Sequence, residues 1–144
     1  MKLLDANLLL YATDDESSRH PAARSWLDGL LSGDEPIAFA WAVLLAFLRL
    51  STNPRIFNQP LSTDRAFDVV QGWVAHPNAL IIQPGDRHLT LVRQLLRPLG
   101  TAGNLLTDAH LAALAIEHGA ELNSCDADFS RFSGLRWTNP LDAR

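Results

Sequence analysis

Asp5, Asp108 and Asp126 each stand where a short apolar run gives way to a helix-like pattern or a turn. Carboxylates gathered at one place repel one another unless a cation lies between them. These residue types at these junctions therefore point to a site for a hard divalent ion such as Mg²⁺, which takes oxygen ligands and keeps several waters. Taken singly, each aspartate has a structural explanation. Asp5 suits a helix cap, Asp108 a first helical turn favoured by the helix dipole, and Asp126 an Asx turn. The three at one rim favour the metal reading. Asp128 is either a fourth carboxylate or a solvated loop charge.

Several neighbours bear on this site. Asn7 either orients Asp5 or stabilises the first helical turn, and the Ser124 hydroxyl either bonds a neighbouring carboxylate or a metal-bound water or, as is common for a strand-end serine, has no role. Thr107 reads first as a helix cap. His110 follows Asp108 by two residues, which on a helix turns it to another face, so it is not expected to be a ligand. Cys125 is the only cysteine. No intrachain disulfide is then possible, and a small buried thiol is a better reading than a nucleophile, since no histidine shares its local pattern.

The positioning elements follow from periodicity. Leu3-Leu4 reads as a short buried strand, followed after Asp5 by a helix through Leu8 to Ala12. Ser17 or Ser18 opens a second helix with Pro21 in its first turn and Ala22, Trp26, Leu27, Leu30 and Leu31 on one face, ending at Gly33. Ile37-Ala38-Phe39 reads as a strand, Trp41 to Ser51 as a helix, and Asn53 to Pro60 as a connector. Ser62 to Asp64 starts an amphipathic helix with Ala66, Phe67, Val70, Trp73 and Val74 on its apolar side. A third strand at Leu80 to Ile82 precedes a helix from Asp86 to about Leu96. After the loop Gly100 to Asn104, Thr107 starts a helix that Gly119 closes in the left-handed conformation. Glu121 to Ser124 is a fourth strand, Phe129 to Gly134 a loop, and Leu135 to Trp137 a short edge strand. Trp26, Trp41 and Trp73 are expected in the core.

Short apolar strands alternating with helices imply an α/β fold, a parallel sheet covered on both faces, with ligands bound outside the carboxyl ends of its strands. The length of 144 residues fits one domain over 1–144. No run is long and apolar enough for a membrane span, so a cytoplasmic location without membrane association is expected. The net charge of −4 argues against a protein coated in positive potential. Eleven of the twelve basic residues are arginine, however, whose planar fork suits phosphate.

The ordered blocks Leu3-Leu4-Asp5-Ala6-Asn7, Phe47-Leu48-Arg49, Leu106-Thr107-Asp108-Ala109-His110-Leu111-Ala112-Ala113 and Ser124-Cys125-Asp126-Ala127-Asp128-Phe129 resemble those of PIN domains, most closely VapC-type toxins of toxin–antitoxin pairs. The resemblance spans essentially the whole chain. It implies a PIN-like three-layer α/β/α sandwich with a mostly parallel sheet. It also implies a Mg²⁺- or Mn²⁺-dependent ribonuclease with RNA as substrate, held inactive by a VapB-like antitoxin and homodimeric. Carried over by position, the catalytic and metal-binding acids are Asp5, Asp108 and Asp126; Asp128 is set beside them as a further metal ligand, an acid near Asp126 able to supply an additional oxygen. One position departs: the family's glutamate on the helix after the second strand is matched here by Ala46. Glu117 is no obvious substitute, lying about 13 Å along a helix from Asp108. The alternative is then a catalytically weakened or inactive module acting by antitoxin or RNA binding. Other acid-based enzymes fit less well. A haloacid-dehalogenase-type phosphotransferase would carry an aspartate where Asn7 stands, and a phospho-receiver needs a lysine at a later strand end, whereas Lys2 is the sole lysine.

Arg49, Arg55, Arg131 and Arg136 are candidate RNA-backbone contacts. The alternative for each is a surface ion pair or a solvated charge.

Overall fold

The computed structural model describes residues 1–142, so positions 143 and 144 of the expected domain span lie outside the described residues. Five strands, β1 (Lys2–Leu4), β2 (Ile37–Phe39), β3 (Ala79–Ile81), β4 (Glu121–Asn123) and β5 (Trp137–Thr138), form one sheet in the order β3-β2-β1-β4-β5. Every pairing is parallel. The helices are α1 (Ala6–Thr13), α2 (His20–Ser32), α3 (Trp41–Ser51), α4 (Thr63–Val74), α5 (His88–Leu96) and α6 (Leu106–His118).

Handedness places the layers. The crossovers β1–β2 and β2–β3 run outward in one direction, whereas β3–β4 runs back across two strands, so right-handed connections put α5 and α6 on the face opposite α1 to α4. The helix packing agrees: α1 touches α2 and α3, α3 touches α4, and α5 packs with α6. The order reverses between β1 and β4, and that crevice is where a doubly wound sheet offers a ligand site. The central strands are apolar because both faces are covered; Leu3, Leu4, Ile37, Ala38, Phe39 and Leu122 are fully buried. Phe47 and Trp73 meet edge to face at 4.7 Å and tie α3 to α4.

Several expectations are corrected. The second helix starts at His20, because Ser17 spends its hydroxyl on the backbone N–H of Arg19 in the preceding turn. The helix expected from Asp86 starts at His88. Thr107 is not a cap: α6 begins at Leu106 on the end of a 3₁₀ turn (Gly103–Leu105), leaving Thr107 exposed and Asp108 in the first turn. The loop expected from Phe129 to Gly134 begins inside a 3₁₀ turn, Ala127–Arg131, because Phe129 and Phe132 must reach the core. Trp41 and Phe67 are each 50% exposed rather than buried, whereas Trp73 is in the core.

This burial pattern separates two aromatic substitutions. Phe47→Ala is expected to lower unfolding free energy by about 3–5 kcal/mol. Phe67→Ala should cost less than about 0.5 kcal/mol, both read by urea denaturation. Equal losses would show that the α4 face is misassigned.

Candidate metal centre

Asp5 leaves β1 and caps α1, its Oδ1 accepting the N–H of Ala6 at 2.7 Å. Its other oxygen accepts the Ser124 hydroxyl at 2.7 Å, across a sequence separation of 119 residues. Ser124 is fully buried, and its oxygen also accepts from the N–H of Asp126 at 3.0 Å and from Asn7 Nδ2 at 3.1 Å. One donor and two acceptor positions are thereby all used. Asn7 Oδ1 in turn accepts the N–H of Cys125 at 3.3 Å. Asn7 thus fastens the strand-end turn to α1, and acts on Asp5 only through Ser124.

The structure brings Asp108, Asp126 and Asp128 together, with one oxygen of each within 4.8 Å of the others. Asp108 arrives from the first turn of α6, and Asp126 and Asp128 from the turn after β4, where Asp126 Oδ1 accepts the N–H of Asp128 at 2.9 Å. Asp5 is not in that triplet. It is the buried neighbour, joined to it by the Ser124 hydroxyl and close enough for its charge to be felt at Asp108.

Electrostatics set this corner apart. Burial pushes the Asp108 carboxyl up to about 6, and the charges of Asp126, Asp5 and Asp128 add to the shift. Asp5 is raised as well, first by burial and a little by Asp126, against the opposing hydrogen bonds from Ser124 and Ala6. Among the described residues, no ion pair involves any of these four acids. An all-oxygen donor set with uncompensated charge suits Mg²⁺ or Mn²⁺ rather than a softer ion. The residues therefore fit the group that the sequence implied.

Other candidates lie elsewhere. Ala46 sits on α3, packed against the core, and brings no oxygen. None of the four glutamates replaces it. Glu16 contacts Asn58, Glu35 pairs with the Met1 ammonium, Glu121 with Lys2, and Glu117 accepts from Gly85 N–H and His88. His110 turns away from the acids, as helical spacing required, to meet His88 Nε2 at 2.8 Å. His88 Nδ1 lies 3.3 Å from Glu117, completing a polar chain between α5 and α6. That chain was not legible in the sequence, since its members are 22 and 29 residues apart. Burial raises the Cys125 thiol, the nearby Arg19 only partly opposing it, so it stays protonated and a poor nucleophile. Of the candidate RNA-contacting arginines, Arg136 is engaged with the carbonyl of Gly119 at 2.6 Å.

A model of the PIN domain matches residues 2–135. Ribonuclease VapC37 of Mycobacterium tuberculosis (strain ATCC 25618 / H37Rv) is 47% identical over 140 residues, covering 97% of this chain and 97% of the relative. Ribonuclease VapC33 of the same strain is 41% identical over 141 residues, covering 98% and 99%. Among solved structures, VapBC2 from Rickettsia felis, bound to a DNA fragment from its promoter, matches with a TM-score of 0.67 at 20% identity, covering 96% of this chain and 97% of that one.

The folded chain binds the Asp108 proton more tightly than the unfolded chain does, so stability is lost as pH rises from 3.8 through about 6. In EDTA, Asp108→Asn is therefore expected to melt higher than the wild type above about pH 6, with the advantage shrinking toward about pH 4. Differential scanning calorimetry across that range checks this; a pH-independent difference would contradict crowded, unneutralised charge.

Proposed function

The chain belongs to the PIN-domain family, among its VapC ribonucleases, and from that premise we propose that it is a metal-dependent ribonuclease and the toxin of a toxin–antitoxin pair. Its substrate is RNA, its ion Mg²⁺ or Mn²⁺, and its partner a VapB-like antitoxin that holds it inactive. It acts in the cytoplasm as a homodimer. The observation that carries the chemistry is the meeting of Asp108, Asp126 and Asp128 without any cationic partner among the described residues.

In this reading Asp108, Asp126 and Asp128 hold the ion. Asp5 acts from the buried side, either as a direct ligand through a free lone pair or by fixing the turn of Asp126 through Ser124. A bound divalent ion supplies neutralisation of the charge building on the scissile phosphate and a more acidic water. Asp126 or Asp128 orients the attacking water and takes its proton as the water oxygen bonds to phosphorus and the ester P–O bond in line with it breaks, the departing sugar oxygen taking up a proton from water. Asp128 stands in for the oxygen that Ala46 cannot provide.

A second reading has a specific observation behind it. With Ala46 lacking an oxygen and every glutamate engaged elsewhere, the acidic set is short by one member, which favours a weakened nuclease or a binding module. Two measurements separate the readings: calorimetric Mn²⁺ titration, and cleavage of a structured RNA pool with and without Mn²⁺. The nuclease reading expects Mn²⁺-dependent cleavage that falls by roughly 10²- to 10⁴-fold in Asp126→Asn. Ser124→Ala is expected to cost about 10- to 100-fold, as for a residue that orients a ligand. Cleavage in EDTA, or an Asp126→Asn protein of full activity, would exclude the proposed chemistry. Mn²⁺ binding without cleavage would select the binding module.

A further inference from the structure

We propose that the exposed face of α5 and the loop behind it form a track for the phosphates of single-stranded RNA, centred on Arg93 and Arg97 and leading to Asp108. The proposal rests on the ribonuclease reading and adds to it a place for substrate outside the acidic corner.

Charge segregation is the first observation. The chain has 16 acidic residues, yet none falls between Arg87 and Thr107, a stretch that holds three arginines and ends one residue before Asp108. Arg87, Arg93 and Arg97 are exposed, and among the described residues none takes part in an ion pair. Among the described residues Arg24 is the one arginine in an ion pair, with Asp28 at 3.2 Å.

Geometry is the second. Arg93 and Arg97 are four residues apart and so lie on one helical face with Cβ atoms about 6 Å apart, a spacing suited to neighbouring phosphates of one strand. They form a ridge between two surface depressions that share both arginines. One, of about 420 Å³, is also lined by Leu96, Gly100, Thr101 and Ala102. The other, of about 260 Å³, is also lined by Leu89, Thr90 and Gln94. Beyond the ridge, Thr101, Asn104 and Thr107 are exposed hydrogen-bonding groups on the way to Asp108. Gly100 turns the chain at φ 71° with open space where a side chain would stand, leaving the backbone accessible.

Topology supplies direction. α5 and α6 pack together, with His88 at the start of α5 lying 3.3 Å from Glu117 near the end of α6, so the helices run antiparallel and the C-terminal end of α5 lies beside the first turn of α6. Arg97 is therefore at the acidic end of the molecule and Arg93 one turn behind it. An acidic corner repels RNA, and fixed cations beside it offset that repulsion while setting which phosphate arrives at the acids.

The test is binding of a fluorescently labelled single-stranded RNA in EDTA, followed by anisotropy over a range of salt concentrations. Losing two phosphate contacts reduces the slope of log affinity against log salt by about 1.4. The double variant Arg93→Ala/Arg97→Ala is expected to show that change, with affinity at low salt weaker by on the order of tenfold. Arg93→Lys/Arg97→Lys, which keeps both charges, should retain the slope, and Arg24→Ala should leave it unaltered. Alanine is favoured in helices, so the melting temperature of the double variant serves as a folding control. An unchanged slope in the double alanine variant, while the wild type cleaves RNA in Mn²⁺, would overturn the track and leave the nuclease reading standing. Absence of RNA binding by the wild type at every salt concentration would overturn the track, and absence of Mn²⁺-dependent cleavage as well would overturn both. Equal competition by polyglutamate would reassign the ridge to an acidic protein segment and overturn the RNA assignment.

Discussion

The register of β1 against β4 is the constraint on which the site depends. Lys2, Leu3 and Leu4 stand opposite Glu121, Leu122 and Asn123, and the Asp5 N–H continues the ladder by donating to the Asn123 carbonyl at 3.0 Å. The next residue on each strand is then Asp5 on one side and Ser124 on the other. Slipping β1 by a residue would carry the charged Lys2 or Asp5 into a position that Leu3 or Leu4 fills in full burial, so hydrophobic burial holds that alignment. The polar contact at the rim thus inherits its accuracy from apolar residues that do no chemistry. The edge strand β5 reinforces the same point, with Trp137 Nε1 donating to the Ser124 carbonyl at 3.0 Å.

The charge crowding is tolerated because each acid is held by a different kind of support. Asp5 is fixed by two hydrogen bonds, Asp126 by a turn, and Asp108 by a helix whose N-terminal dipole partly offsets its negative charge. These supports limit relaxation away from one another. Such a corner is a place where ionisation opposes stability, and the surrounding core of Leu122, Phe129 and Phe132 keeps it assembled. Among the described residues no arginine pairs with these acids, which leaves them uncompensated.

Much of this was legible along the chain. Apolar runs bounded by turn residues marked β1 to β4 to within a residue, and the three junction aspartates did fall at one rim, although only two of them join the closest triplet. What could not be read was distance-dependent. Asp128 joins Asp108 only because a 3₁₀ turn folds the segment after β4, and the His88–His110–Glu117 chain depends on how α5 is rotated against α6. Trp41 and Phe67 misled in the opposite direction, since side-chain type says nothing about whether another helix covers that face. That Arg93 and Arg97 make no ion pair among the described residues is likewise a three-dimensional property. Only the lack of acids around them was visible in the sequence.

The connector after α3 has a different bearing. Its two ends are already clasped, the Leu61 N–H donating to the Ser51 carbonyl at 2.9 Å, and much of the stretch from 53 to 60 is exposed. The separation that added residues would have to span is therefore fixed by the clasp rather than by the connector itself, and doubling such a segment costs only about 0.6 kcal/mol of closure entropy. Neither strand alignment nor any acid is carried by it. Length variation, or the insertion of a reporter peptide, is accommodated there, whereas the run from Asp108 to Asp126 spans a helix and a strand between two acids and has no comparable slack.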